Sequence, residues 1–438
     1  MSTTLHSGAR ATRAIRLWFA AAVLASVAVP ISAAGRPVSE VDPILEWNDV
    51  ARELIVVPAL APVEQTRAMA IVHVAMHDAV SAITGEYDCY ATTRKPPAGA
   101  TPEAAAIAAA FTTLKDLFST PESVALLTAR YAASLHDHGI SPSDPGLAFG
   151  KSVATGILAL RKDDGAAVAK YVYLPPNAGA LGVWTPTSAA PAAQSLLPGW
   201  GAVATWVLRS GSQFRPGPPP ALGSRRYARD YEEIRGVGAL VSAERSDEQT
   251  QIALFWRASP TAIWNPVLRQ AIQSRQMSLS DSARVSALFY LAASDASVAC
   301  WEAKYFYNFW RPQAAIAVGE LDGNPSTAGD PAWRPLVPTP PHPDYPSGHT
   351  SNSGAMAAVL SVLFGADPGF VIQATSSQNP GFVRSWQTFG EGLDEVIDAR
   401  VFSGIHFRTA DRVGARLGRQ VAHFVMRHAL RPAKRSKG

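Results

Sequence analysis

The sequence carries little charge for its length, since 17% of its 438 residues are Asp, Glu, Lys or Arg and 47% are hydrophobic. This balance excludes a disordered chain and is typical of a globular protein with a large buried fraction. The net charge of +4 comes largely from the two ends of the chain, and the body lacks the basic stripe of a nucleic-acid-binding surface. We therefore expect no nucleic-acid partner.

Cysteine is nearly absent, and Cys89 and Cys300 are the two that occur. Two cysteines in so long a chain exclude a disulfide scaffold, although a single bridge between them stays open. Cys300 lies in an apolar helical run, which favours a buried free thiol.

The chain also lacks alternating strand patterns, a glycine-rich phosphate or dinucleotide loop, and an internal repeat. Apolar residues recur at helical spacing instead, and two Pro- and Gly-rich stretches, residues 171–220 and 322–346, predict long ordered loops. The predicted helices cover residues 66–84, 102–117, 119–135, 146–161, 225–237, 247–257, 280–307, 349–364 and 407–429. The predicted fold is all-α, made of packed helical bundles with long loops.

Residues 1–34 have the pattern of a secretory signal peptide. Three arginines precede an apolar run, and small residues end at Ala34, where we expect cleavage and export. An uncleaved membrane anchor is the alternative, and no later apolar stretch is long enough to span a membrane. The remaining chain is predicted to comprise an N-terminal helical region (35–255), a C-terminal catalytic region (256–430) and a basic tail (431–438).

The C-terminal region contains three groups of residues suited to binding an oxyanion. Lys304 and Arg311 are seven residues apart in an aromatic-rich segment, a spacing that predicts one helical stripe. Two buried cations on one stripe require an anionic partner, whereas a solvated pair would not.

The second group is Ser347-Gly348-His349, which follows a Pro-rich loop and precedes an apolar helix. Ser347 is suited to cap this helix, and Gly348 allows a ligand to approach the backbone. The free N–H groups of the first turn attract anions, and His349 is placed for acid–base chemistry. A plain helix cap with an incidental His is the alternative.

The third group comprises Arg400 and His406, six residues apart. A bend at Gly404 would bring both side chains to one centre, and Asp411 is a candidate to hold the second ring nitrogen of His406.

In this order and spacing, the three groups resemble the motifs of the vanadium-dependent haloperoxidases, bacterial branch, and of the related type 2 phosphatidic acid phosphatases. These motifs are a Lys followed after six residues by Arg-Pro, then Pro-Ser-Gly-His, then an Arg with a His six positions later. The phosphatase pattern places an Asp four residues after that His, whereas position 410 is Ala here.

The resemblance implies a vanadate cofactor with His406 as its axial nitrogen ligand. It implies that Lys304, Arg311 and Arg400 neutralise the vanadate oxygens, with hydrogen bonds from Ser347 and the Gly348 N–H. In this scheme His349 accepts a proton from hydrogen peroxide, and Lys304 polarises the bound oxidant. The small-molecule partners are then hydrogen peroxide, a halide and an organic acceptor.

Two other functions stay open. With a phosphate ester as substrate, His406 would be the nucleophile and His349 the acid of an exported phosphatase. A non-catalytic oxyanion-binding protein is the third possibility. Within the haloperoxidase reading, His342 resembles the residue of the bromoperoxidases, which favours bromide or iodide over chloride, although a plain loop His is the alternative.

A rival site lies near the N-terminus, where His73 and His77 are four residues apart and Asp78 follows. This is metal-ligand spacing, but no second cluster completes a ligand set. A satisfied pair of core histidines is therefore the favoured interpretation.

Overall fold

The computed structural model describes residues 42–56, 60–186 and 195–433. These residues form thirteen α-helices and one short β-hairpin, which confirms the predicted all-α class. The predicted signal peptide lies outside the described residues, as does most of the basic tail. The helices are α1 Pro43–Ile55, α2 Pro62–Thr84, α3 Pro102–Leu117, α4 Pro121–Asp137, α5 Pro145–Arg161, α6 Arg225–Val237, α7 Asp247–Phe255, α8 Pro260–Arg275, α9 Leu279–Tyr307, α10 Pro312–Ala317, α11 Gly348–Phe364, α12 Phe389–Phe402 and α13 Arg408–His428.

Helix starts follow from local chemistry. In five helices a side-chain oxygen accepts a backbone N–H of the first turn and Pro occupies the first helical position, where its missing N–H leaves no bond unmade. The capping residues are Asp42, Thr101, Thr120, Asp144 and Ser259. Of these five helices, α3, α4 and α5 lie where the sequence predicts them, whereas α1 and α8 were not predicted.

Helices α2 and α9 form the interior of the molecule. Both are apolar on most of their circumference, which is typical of helices surrounded by other helices. They meet through a buried hydrogen bond of 3.0 Å between the hydroxyls of Thr66 and Ser297. The predicted N- and C-terminal regions therefore share one core, and a boundary near residue 255 stays a prediction.

Glycines bring α11 and α13 into close contact. A Cβ atom at Gly418 would lie 2.0 Å from the carbonyl oxygen of Ser351, and one at Gly354 would lie 2.5 Å from that of Ala415. Both helices begin near this crossing, where the Ser347 N–H donates to the Ala410 carbonyl at 3.0 Å. The second and third sequence groups therefore meet at two helix N-termini.

The hairpin was not predicted. Strands β1 Ile372–Thr375 and β2 Val383–Trp386 pair antiparallel with Ile372 opposite Trp386. Both of these side chains are buried, so the hairpin covers part of the helical core. None of the helices in the described ranges is both long and apolar enough to cross a membrane.

Candidate active site

Lys304 lies in the last turn of α9 and is fully buried. Its ammonium group donates to the carbonyl oxygens of Pro343 and Asp344 at 2.8 and 2.9 Å. Burial lowers the pKa of Lys304 to about 7, and the nearby Arg311 adds to this shift. An anion bound beside Lys304 would reverse the effect and hold the lysine charged.

Lys304 and Arg311 do not share a helix, so that part of the prediction is wrong. Helix α9 ends at Tyr307, and Asn308 follows with a left-handed φ of 49°. Pro312 begins α10, and a residue that precedes proline avoids the helical conformation, so Arg311 is extended. The chain bend nevertheless aims both cations at one loop, since Arg311 donates through Nε to the His342 carbonyl at 2.7 Å.

Ser347 is the N-cap of α11 by its backbone conformation, as predicted, but its side chain does not cap the helix. The Ser347 hydroxyl is buried and has no hydrogen-bond partner among the described residues. A Cβ atom at Gly348 would lie 2.9 Å from the ring of Trp301. A larger residue at position 348 would therefore clash with this ring. The free N–H groups of this helix end and the Ser347 hydroxyl together form an anion-binding corner.

His349 differs from the other site histidines because it is only half-buried. Its Nε2 lies 3.1 Å from the carbonyl oxygen of Ala258. A carbonyl only accepts, so Nε2 carries the hydrogen and Nδ1 keeps a free lone pair. Desolvation and the nearby Arg400 hold the pKa of His349 well below its usual value. The ring is therefore neutral at pH 7 and able to accept a proton.

Arg400 and His406 converge through the predicted bend. Gly404 has a φ of 75°, and a Cβ atom there would lie 2.2 Å from the Gly238 carbonyl oxygen. Arg400 donates to the Trp256 carbonyl at 2.8 Å, while its Nε has no partner in the part of the chain that the structure describes. Burial lowers the pKa of Arg400 to about 10, which leaves it charged at pH 7.

Asp344, rather than Asp411, holds His406. The Asp344 carboxylate lies 2.8 Å from Nδ1 of His406, and Nη1 of Arg311 lies 3.1 Å from Nε2 and 3.4 Å from Nδ1. The ionised carboxylate accepts from Nδ1, so Nδ1 is protonated and Nε2 has the lone pair. Burial and the surrounding cations hold the pKa of His406 well below its usual value.

The predicted role of Asp411 is therefore wrong. Asp411 lies in the first turn of α13. The carbonyl of the preceding residue, Ala410, accepts the Ser347 N–H, so the Asp411 side chain faces the start of α11. It is fully buried and lies close to the Ser347 hydroxyl. Burial raises the pKa of Asp411 well above its usual value, and the Ser347 hydroxyl and Arg400 oppose this rise.

His342 lies at the edge of the same centre. Its imidazole is 3.0 Å from the guanidinium of Arg311 and is tilted over Trp301 with a ring separation of 5.1 Å. Burial and the adjacent cations hold its pKa well below the usual value. The position fits a residue that tunes the site, although its effect on halide preference stays a prediction.

The assembled centre is more positive than its neighbours can balance. Lys304, Arg311 and Arg400 are buried together. Asp344 lies 3.9 Å from Arg311, but burial raises the pKa of Asp344 to about 7, so it is only partly ionised at neutral pH. Buried cations without full compensation favour an anionic ligand.

Sequence reasoning missed three contributors to the site. Asp344 stands inside the predicted Pro-rich loop, residues 322–346, and its acidic side chain was a usable signal. The carbonyls of Trp256 and Ala258, in the turn between α7 and α8, hold Arg400 and His349. Backbone carbonyls carry no residue-specific signal, so no inspection of the sequence would have found them.

The rival site on α2 is part of the core. His73 contacts Asn48 at 3.0 Å, His77 contacts the Asp88 carbonyl at 3.2 Å, and Asp78 accepts backbone N–H groups of residues 90–92. No group of three or more potential metal ligands occurs among the described residues. Both histidines are buried in the core, but Nδ1 of His73 has no hydrogen-bond partner among the described residues, so a purely structural pair stays a prediction.

Two sequence comparisons find the same kind of relative. Residues 284–435 match the family described as the VCPO second helical-bundle domain. A vanadium chloroperoxidase of Curvularia inaequalis is 26% identical over 405 residues, which cover 72% of this chain and 64% of that protein. The chain thus matches less than two thirds of this relative's length.

Solved structures extend the likeness to nearly the whole chain. A bacterial vanadium-dependent iodoperoxidase is 26% identical, with a TM-score of 0.79 over 92% of this chain and 100% of that one. The holo form of a bacterial vanadium-dependent chloroperoxidase, at 20% identity, shares the fold with a TM-score of 0.69 over 90% of this chain and 99% of that one. Together with the ordered motifs and the cationic centre that they build, these comparisons show that the chain is similar to vanadium haloperoxidases in sequence and in fold.

Proposed function

We propose that this protein is a vanadate-dependent haloperoxidase that uses hydrogen peroxide to oxidise a halide to a hypohalous species. The observation that carries the proposal is the burial of Lys304, Arg311 and Arg400 around His406, whose pKa is lowered by burial and by all three cations. The resulting species would halogenate an organic acceptor, and the relatives named above support this chemistry.

The residues present fit vanadate. Ser347 Oγ and Arg400 Nε are buried donors without partners among the described residues, and the α11 N-terminus adds free N–H groups. These donors and Lys304 would hold the oxygens, while His406 Nε2 offers the nitrogen ligand. Vanadate, when bound, supplies an electrophilic centre that activates peroxide for two-electron oxidation.

The protein's own part is to hold and move protons. His349 is half-buried, so peroxide can reach it from solvent, and its Nδ1 lone pair can accept the peroxide proton. Lys304, held by two loop carbonyls, places a positive charge beside the reacting oxygen. Arg311 and Arg400 stay charged near pH 7 and neutralise the oxyanion.

His342 supports a preference for bromide or iodide. Its neutral ring contacts Arg311 and covers Trp301, which makes this wall of the centre polar. Export through cleavage after Ala34 also belongs to the proposal, on the strength of the N-terminal sequence pattern.

An acid phosphatase is the second candidate. Nε2 of His406, whose other ring nitrogen faces Asp344, suits a nucleophile toward phosphorus as well as a metal ligand. One preparation of the protein distinguishes the candidates: vanadate-loaded protein is assayed for peroxide- and bromide-dependent bromination of phenol red, and vanadate-free protein for hydrolysis of p-nitrophenyl phosphate. Bromination without hydrolysis supports the haloperoxidase, hydrolysis that vanadate inhibits supports the phosphatase, and tight vanadate binding without turnover in either assay indicates a binding protein.

A further inference from the structure

We infer that Asp344 is the positioning residue that fixes the tautomer of His406 and thereby makes Nε2 available to a metal oxyanion. The inference rests on the proposed function for its consequence, but its structural part concerns the protein without any ligand. It assigns to the second motif a task that the related phosphatase pattern gives to an Asp of the third motif.

One neighbour of His406 selects the tautomer. The Asp344 carboxylate accepts at 2.8 Å from Nδ1, whereas Nη1 of Arg311 lies 3.1 Å from Nε2 and 3.4 Å from Nδ1 and so favours neither nitrogen. An ionised carboxylate has no donor, so a lone pair on Nδ1 would face an acceptor. His406 is 1% exposed, which leaves little water to compensate such a clash.

Asp344 is itself rigidly placed. Its backbone N–H donates to the Phe309 carbonyl at 2.9 Å, and its own carbonyl accepts from Lys304 at 2.9 Å. Both bonds tie the carboxylate to the segment that carries the cations of the first motif. A carboxylate held in this way orients an imidazole without having to be ordered when the ligand arrives.

The two aspartates of the site, Asp344 and Asp411, face different parts of the pocket. Position 410, where the phosphatase pattern has its Asp, is Ala, and Asp411 points to the Ser347 end of the pocket. Asp344 lies three residues before Ser347, so one loop supplies both an anion donor and the histidine orienter. The contact joins residues 62 positions apart.

The tautomer decides between two kinds of anion binding. Inorganic phosphate is held by cations and N–H groups alone, whereas vanadate also takes a nitrogen ligand, which requires the Nε2 lone pair. Loss of the orienter should therefore weaken vanadate binding more than phosphate binding. Loss of outer-shell partners of a metal ligand typically lowers affinity about 10- to 100-fold.

The first test uses the unaltered protein. The ring ¹⁵N shifts of ¹⁵N-histidine-labelled, vanadate-free protein, with His406 assigned by comparison with His406→Gln, should show protonated Nδ1 and unprotonated Nε2. The opposite tautomer would overturn the inference, whatever the enzyme assays give. This measurement is independent of turnover, so it also separates failure of the inference from failure of the proposed function.

The second test compares Asp344→Asn, Asp344→Leu and Asp411→Asn, each checked by thermal unfolding. Asparagine retains an acceptor, so Asp344→Asn should keep the tautomer and the ratio of vanadate to phosphate affinity within about threefold. Asp344→Leu should lower that ratio about 10- to 100-fold. Asp411→Asn should keep the His406 tautomer. Equal losses of vanadate and phosphate affinity in Asp344→Leu leave their ratio unchanged. That result would show a merely structural role for Asp344.

Discussion

Two buried sets of His and Asp in this molecule differ in what surrounds them. On α2, Asp78 accepts three backbone N–H groups at 2.6 to 2.9 Å. In the candidate active site, the Asp411 carboxylate accepts no backbone N–H of the described residues, and the nearby Arg400 Nε has no hydrogen-bond partner among them. Polar groups that have hydrogen-bond partners within the protein stabilise its fold. Donors and charges without such partners are available to a ligand.

The histidines of the two regions differ in the charges beside them. Burial lowers the pKa of His73 to about 3 and of His77 to about 4, so both are neutral, and neither contacts a cation at hydrogen-bond distance. His406 is also neutral, but it lies against Arg311 and a carboxylate that hold one lone pair ready. The difference between the two regions is one of neighbours and not of residue type.

The largest expected effect comes from His349. His349→Ala should lower bromination turnover about 10²- to 10⁴-fold, because the general base is lost while the cations stay in place. Vanadate affinity, measured by titration of the vanadate-free protein, should change less than about tenfold. A loss of affinity equal to the loss of turnover would contradict an acid–base role.

Removal of one buried cation should weaken oxyanion binding itself. Arg400→Ala should raise the dissociation constant for phosphate about 30- to 1,000-fold, because a desolvated charge contact contributes about 2–4 kcal/mol. Calorimetric titration measures the change. The matched control is Arg408→Ala, which removes an arginine paired with Glu233 and Asp398 outside the pocket. Similar weakening in both variants would refute a specific role for Arg400.

On α2 the expected effect is on stability. Asp78→Ala leaves three backbone N–H groups without their acceptor and should lower the free energy of unfolding by about 3 kcal/mol. Turnover per folded molecule should match that of the wild type. Denaturant unfolding and active-site titration with vanadate provide the two readouts, and a stable variant with impaired turnover would place Asp78 in the function.

The pKa of Lys304, near 7 in the free protein, predicts a pH-dependent affinity for anions. A bound anion raises this pKa, so binding above pH 7 requires proton uptake and weakens by up to about tenfold per pH unit. Sulfate is the probe of choice, since it does not titrate in this range. Asp344, with its pKa near 7, acts with the same sign, because its protonated form favours the anion.

The variants Lys304→Met and Asp344→Asn separate the two contributions. Each should make the dependence of log Kd on pH less steep. A slope that neither variant changes would show that other groups carry it.

The smallest expected effect concerns the halide. His342→Phe replaces a polar wall against Arg311 by an apolar one and should shift the ratio of chloride to bromide turnover toward chloride by roughly threefold to tenfold, since a single polar contact contributes about 1 kcal/mol. Steady-state rates with each halide measure the ratio. An unchanged ratio would identify His342 as an ordinary loop histidine.

Sequence alone determined nine of the thirteen helices in the described ranges and the identity of the anion-binding side chains. Proline and capping residues act within a few positions of themselves, so α2, α5 and α9 could be placed from local pattern. Ser347 and Gly404 were likewise recognisable, because helix starts and left-handed bends have strong residue preferences.

Tertiary structure alone decided how these side chains are held. Lys304 and Arg311 converge because the chain bends at Asn308, and His406 is oriented by a carboxylate 62 positions away. The carbonyls of Trp256 and Ala258 complete the centre. Such contacts join segments that are distant in the sequence, and several are made by backbone atoms that every residue has. They are therefore determined by how the helices pack and not by residue spacing along the chain.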